Sequence, residues 1–160
     1  MCRWLFNIMS SAPLHILLAD DDEADRLLFK EAIREVGFPV NLTVLNGGEQ
    51  LIDFLQSEMF EMPDLVFLDL NMPRKNGFEC LREIRETKKL QSMPVIIFST
   101  SDEESGVDQT FEDGAQLYVV KPPDFPHLVQ SIQQAVLLSE KPGFLKPVRS
   151  DFVLNVSTAR

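Results

Sequence analysis

The sequence predicts a doubly wound α/β fold: one parallel sheet of five strands with helices on both faces. Five short apolar runs recur along the chain, and each is followed by a stretch with apolar residues at helical spacing. Such strand–helix alternation produces a parallel sheet joined by right-handed crossovers. The first, third, fourth and fifth runs are nearly continuous in apolar residues rather than alternating, as strands covered on both faces are. A chain of 160 residues is long enough for one sizeable core and too short for two.

The elements follow in order. Residues 15–19 are the first strand, and residues 23–36 form a helix with Leu27, Leu28, Ile33 and Val36 at helical spacing, stopped by Gly37. Residues 42–45 make a short second strand, Asn46-Gly47-Gly48 a turn, and 49–57 a helix carrying Leu51, Ile52, Phe54 and Leu55 on one face. The third strand is 65–69, followed by a helix over 77–87 with Phe78, Leu81 and Ile84 inward. Pro94 precedes the fourth strand, 95–99. Residues 102–112 are polar and weakly periodic, which predicts a marginal helix ending at Gly114. The fifth strand is 117–120 and the last helix 125–138.

Residues 1–12 read as an N-terminal extension, 13–140 as the folded domain and 141–160 as a tail. Met9 followed by SSAPLH also reads as a start, which makes residues 1–8 an optional piece. Pro142, Gly143 and Pro147 precede FVLNV in the tail. It is expected to be flexible or docked on the surface, with a strand or helix used in self-association as the alternative.

Apolar residues make up 44% and charged residues 25%, ordinary for a soluble globular domain, and the formal net charge is −10. A chain so acidic, with no basic stripe, is not expected to bind nucleic acid. Cys2 and Cys80 have no metal-ligand spacing and form no disulfide framework, which fits a reducing cytoplasm. No apolar stretch approaches the ~20 residues of a membrane span. The opening MCRWLFNIM is too short, and lacks the cleavage site, to be a secretion signal.

In an open α/β sheet, ligands sit outside the carboxyl ends of the strands. Asp20 and Asp21 end the first strand, Asp69 the third, Ser99 the fourth and Lys121 the fifth. Singly, each has a bland explanation: a strand-end Asp caps a helix or turn, a Ser makes a turn, a Lys is solvated. Five such residues on neighbouring strand ends define a pocket. Its crowded carboxylates are costly without compensation, so the pattern predicts a bound cation.

The stretches LLADDDEADR, DLVFLDLNMPRKNGFE, PVIIFSTS and YVVKPP resemble the signature segments of the response-regulator receiver domain of two-component signalling. The resemblance runs from about residue 13 to about residue 140, and the wording of ADDDEADR and FSTSDEE is similar to small stand-alone regulators that partner bacteriophytochrome histidine kinases. It implies a flavodoxin-like sheet in the order 2-1-3-4-5 with five helices. It also implies that Asp69 accepts a phosphoryl group, with Mg²⁺ held by Asp20, Asp21, Asp69 and the backbone carbonyl of Asn71. Lys121 would pair with Asp69 before transfer and with a phosphoryl oxygen afterwards, aimed by a cis Lys121–Pro122 bond. The Ser99 hydroxyl would take another oxygen, and Tyr118 would turn inward behind it as the switch. Asp22 is expected to cap the first helix.

Under this resemblance the chain is a cytoplasmic single-domain response regulator and a signalling phosphoprotein rather than an enzyme. Its donor would be a sensor histidine kinase, the bacteriophytochrome type included, or a phosphotransfer protein. A homodimer through the last helix or the tail stays open. Three rivals fare worse. A haloacid-dehalogenase phosphatase needs a second Asp two residues past the nucleophile, where Asn71 stands, and a cap domain for which there is no room. A receiver-like module without phosphorylation would not need the full set of acids, Ser99 and Lys121. A flavodoxin would carry a Ser/Thr/Gly-rich phosphate loop after the first strand, where this chain has acids that repel FMN.

Overall fold

The computed structural model describes residues 12–156, so the expected extension lies outside the described residues but for residue 12, as does Cys2. Among the described residues, six strands form one sheet: β1 (Leu14–Ala19), β2 (Val40–Leu45), β3 (Leu65–Leu68), β4 (Val95–Ser99), β5 (Leu117–Val120) and β6 (Val153–Leu154). Their order is β2-β1-β3-β4-β5-β6, and every pairing is parallel. Five α-helices connect them: α1 (Glu23–Glu35), α2 (Gly48–Gln56), α3 (Gly77–Glu86), α4 (Glu104–Glu112) and α5 (Phe125–Ser139).

Alternate residues of the buried strands feed two cores, one on each face. Leu17, Val66, Leu68, Val95 and Ile97 pack with Leu51 and Leu55 of α2, Leu81 and Ile84 of α3 and Val107 of α4. Ile16, Leu18, Phe67, Ile96 and Phe98 pack with Phe29 and Ala32 of α1 and with Leu128, Ile132, Ala135 and Val136 of α5. Helices on both faces are what makes continuous apolar strands affordable.

Local signals fix the helix starts. Asp22 is the N-cap of α1, its carboxylate accepting from the Asp25 amide, as expected. Asn76 and Glu79 close a reciprocal capping box on α3. Asp124 caps α5, whose first turn also carries a proline. The α4 helix has no side-chain cap and buries only Val107 and Thr110, in keeping with its weak periodicity. Among the described residues, no helix is long and apolar enough to cross a membrane.

Register then delivers the functional ends together. Ala19 pairs with Leu68, and Ser99 pairs with Val120. The residues just past the first pair are Asp20 and Asp69, which the register sets side by side. Lys121 follows Val120 two strands away and reaches back over the Phe98 ring. Gly77 allows the chain to return closely past the end of β3, because a Cβ there would collide with the Asp69 carbonyl oxygen and Leu70.

Three expectations are corrected. The sheet has six strands rather than five, since β6 continues it along β5 with Tyr118 paired to Val153 and Val119 to Leu154. A two-residue strand is too short to show periodicity in sequence, but it shields the edge that β5 would otherwise expose. In α1, Leu27 and Leu28 are 54% and 47% exposed, whereas Phe29, Ala32 and the C-cap Val36 are buried. The aromatic ring decides that face: Phe29 packs edge-on against Phe67 and Phe98 at 5.1 and 5.6 Å. Lys121–Pro122 is trans, as is every described peptide bond. Trans is the lower-energy form before proline, and Lys121 reaches the carboxylates from it.

Candidate functional site

Asp20 and Asp69 leave the ends of β1 and β3 as buried carboxylates, 1% and 5% exposed, while Asp21 is exposed. Each of the two buried groups is held by backbone. One Asp20 oxygen accepts the Asp22 amide at 2.9 Å, and Asp69 Oδ1 accepts the Leu70 amide at 2.9 Å. Arg26 donates to the Asp20 carbonyl at 3.0 Å, which ties the loop to α1. One ligand oxygen from each of Asp20, Asp21 and Asp69 can be chosen so that all lie within 4.8 Å of one another. An anionic, all-oxygen cluster that is partly open to water suits a hard divalent cation, so these residues fit such an ion.

Lys121 enters from the end of β5, with its amide donating to the Ser99 carbonyl at 2.8 Å. Its ammonium donates to Asp20 Oδ2 and to Asp25 Oδ2, both at 2.7 Å, and lies 3.7 Å from Asp69 Oδ2. It also stands over the Phe98 ring, 5.5 Å from the centroid. The expected Lys121–Asp69 pairing is therefore an ion pair beyond hydrogen-bond length.

The electrostatics follow from burial. Burial pushes the Asp69 carboxyl up to about 6; Lys121 draws it back and the Asp20 charge adds to the rise. Asp20 is raised for the same reason, against the pull of Lys121. Burial works against the Lys121 charge, but its hydrogen bonds to Asp20 and Asp25 outweigh it and hold the ammonium above its ordinary value. One lysine thus faces three acids.

Ser99 is fully buried at the end of β4, its hydroxyl oxygen accepting the Ser101 amide at 3.3 Å. Tyr118 is also fully buried, and its hydroxyl donates to the Ser101 carbonyl at 2.6 Å. Its ring therefore points inward, with the hydroxyl engaged by the protein. Asn71 lies exposed in the loop after β3, two residues past Asp69. Asp20, Asp21, Asp69 and Lys121 are thus brought together, with Ser99 and Tyr118 on the adjoining strands.

Two participants carry no distinguishing signal in the sequence. Asp25 sits in the first turn of α1, where an acid has an adequate explanation in the helix dipole. Phe152 lies in the segment read as a tail, yet it is fully buried against Tyr118 and Phe111. Asp25 falls three residues past Asp22 and Phe152 opens the run FVLNV, but neither spacing names a partner.

The sequence matches the family described as "Response regulator receiver domain" over residues 16–133. Response regulator Rcp1 of Synechocystis sp. is 33% identical over 128 residues, covering 78% of this chain and 87% of that protein. The fold is similar to the Mn²⁺-bound form of Rcp1, with a TM-score of 0.72 at 30% identity over 81% of this chain and 96% of that one. It is also similar to the phosphorylated cyanobacterial phytochrome response regulator RcpA, with a TM-score of 0.72 at 29% identity over 78% and 91% of the two chains. The bacteriophytochrome response regulator RtBRR gives 0.65 at 33% identity over 84% and 88%.

Proposed function

The chain belongs to the response-regulator receiver family, and from that premise we propose that Asp69 accepts a phosphoryl group from a histidine kinase or phosphotransfer protein. The transfer uses Mg²⁺ and switches a protein-interaction surface. The observation that carries this reading is the convergence of Asp20, Asp21 and Asp69 with the Lys121 ammonium at adjoining strand ends.

Asp69 Oδ1 is engaged by the Leu70 amide, and Oδ2 is the oxygen that faces Lys121. Oδ2 is therefore the nucleophile: it forms the O–P bond of an acyl phosphate as the P–N bond to the donor histidine breaks. With its carboxyl near 6, Asp69 is mostly ionised at pH 7. Lys121 moves from its carboxylate partners toward the arriving phosphoryl oxygens, and the Ser99 hydroxyl donates to another. Asp20, Asp21, Asp69 and the Asn71 carbonyl would hold Mg²⁺, and the ion would supply neutralisation of the charge on the phosphoryl oxygens.

Readout passes through Ser99 and Tyr118. The Tyr118 hydroxyl is held by Ser101, two residues beyond Ser99, so movement of the Ser99 segment toward the phosphoryl group pulls directly on that hydrogen bond. The responding surface comprises α4, β5 and α5, and the sparse burial of α4 suits an element of low local stability. The likeness to RcpA and RtBRR supports a kinase of the bacteriophytochrome type as donor. The protein turns over only its own phosphoryl group, acts in the cytoplasm and does not read nucleic acid. Residues 13–140 form the receiver unit, and 141–160 an appended segment.

The test is phosphotransfer. Wild-type protein with Mg²⁺ and a phosphorylated bacteriophytochrome kinase, or acetyl phosphate, gains one phosphoryl group by intact mass. Asp69→Asn gains none, and a chelator abolishes the gain in wild type. Equal labelling of wild type and Asp69→Asn would refute the assignment.

A further inference from the structure

Lys121 stands among three carboxylates, and their positions are not equivalent. Asp20 and Asp25 each accept its ammonium at 2.7 Å, whereas Asp69 lies at 3.7 Å. The side chains of Asp20 and Asp69 are 1% and 8% exposed, but that of Asp25 is 33% exposed, at the mouth of the site. Asp25 is also well anchored, because its amide is the one the Asp22 cap holds at 2.9 Å. Its carboxylate thus projects toward the strand ends from the fixed first turn of α1.

We propose that Asp25 is a positioning residue that parks Lys121: its carboxylate holds the ammonium in the unphosphorylated protein and competes with the Asp69 phosphoryl group for it. This rests on Asp69 being the acceptor. Lys121 has three protons to donate, and two of them already go to Asp20 and Asp25. Asp20 belongs to the cation-holding set, so once a cation draws on that carboxylate, Asp25 is the lysine's remaining resting partner. The ammonium then has to leave Asp25 to meet the phosphoryl oxygens. An anion at the mouth also repels an incoming phosphodonor, and both effects slow phosphorylation. The competition is mild because a pair open to water is weaker than a buried one, so the lysine can be surrendered.

Asp25→Asn keeps the side-chain shape and removes the charge; Asp25→Glu keeps the charge. Two readouts separate positioning from a helix-stabilising role. In metal-free protein, the ¹⁵N-resolved Lys121 ammonium signal shifts and exchanges faster with water in Asp25→Asn. At subsaturating acetyl phosphate with Mg²⁺, Asp25→Asn is phosphorylated faster by about two- to fivefold, the scale of one partly exposed ion pair, and Asp25→Glu behaves as wild type. An unchanged ammonium signal overturns the proposal, and so does a rate in Asp25→Asn that is unchanged or slower. Wild-type protein that takes no phosphoryl group from any donor overturns the acceptor reading. Wild-type protein that does, beside an Asp25→Asn variant with unaltered kinetics, overturns the parking role alone.

Discussion

Tyr118 and Phe152 meet edge to face, with ring centroids 6.3 Å apart and planes at 62°, while the Tyr118 amide donates to the Phe152 carbonyl at 2.9 Å. Phe152 also packs against Phe111 of α4 at 5.2 Å, and the guanidinium of Arg149 grips Asp108 of α4 at 2.7 Å. The segment after α5 is therefore joined to both β5 and α4, the elements around the proposed switch.

Removing that ring should be costly. Phe152 is fully buried, and deleting a buried phenyl group leaves a cavity worth about 3–5 kcal/mol. Phe152→Ala is expected to lower the urea midpoint accordingly, with Phe152→Leu losing less. A loss below about 1 kcal/mol, the level of a surface substitution, would mean that the segment contributes little to the core.

The Tyr118 hydroxyl gives a smaller and more local effect. Tyr118→Phe removes the donor to the Ser101 carbonyl and is expected to cost about 1 kcal/mol. Tyr118 is the only tyrosine in the chain, so NMR of ring-labelled tyrosine reports this site alone. Its ring signals should move on phosphorylation if the Ser99–Ser101 segment responds, and stay in place if it does not.

Much of this site was legible in sequence, and the reason is register. Strands that end in Ala19, Leu68, Ser99 and Val120 each announce the residue their end delivers, because an apolar run closed by a polar residue survives any helix packing. Asp25 was not legible, since a helix-start acid needs no partner to explain it. The α1 face is ambiguous in sequence because Leu27, Leu28, Phe29, Ile33 and Val36 allow two overlapping stripes. Only contact with Phe67 and Phe98 selects the one containing Phe29. The sixth strand leaves no mark in sequence because two residues carry no period, and its docking depends on Phe152 finding the space beside Tyr118.

The acid site carries its own pH signature in metal-free protein. The Asp69 carboxyl is raised from 3.8 to about 6, so the folded state holds its proton where the unfolded chain has released it. Stability from this group is fully present below the unfolded value and is lost as pH rises through about 6; Asp20 shifts in the same direction. Asp69→Asn is expected to stabilise metal-free protein at pH 7 by about 3 kcal/mol. The gain should vanish toward pH 4. A gain that persists at low pH would contradict the buried-charge account.

A divalent cation should reverse that penalty. Binding to the folded state alone adds about 2.7 kcal/mol at a hundredfold excess over Kd, so Mg²⁺ or Mn²⁺ should raise Tm in a concentration-dependent way. Asp20→Asn and Asp21→Asn should each weaken the response, and a chelator should abolish it in wild type. Identical shifts in all three proteins would place the cation elsewhere.

The most direct test of the account is chemical localisation of the phosphoryl group. Borohydride reduces an aspartyl phosphate to homoserine, releasing phosphate, so phosphorylated protein can be trapped, digested and sequenced by tandem mass spectrometry. Conversion at position 69, dependent on both phosphodonor and divalent cation, is the predicted result. Conversion at Asp20, Asp21 or any other acid, with position 69 still aspartate, would contradict it.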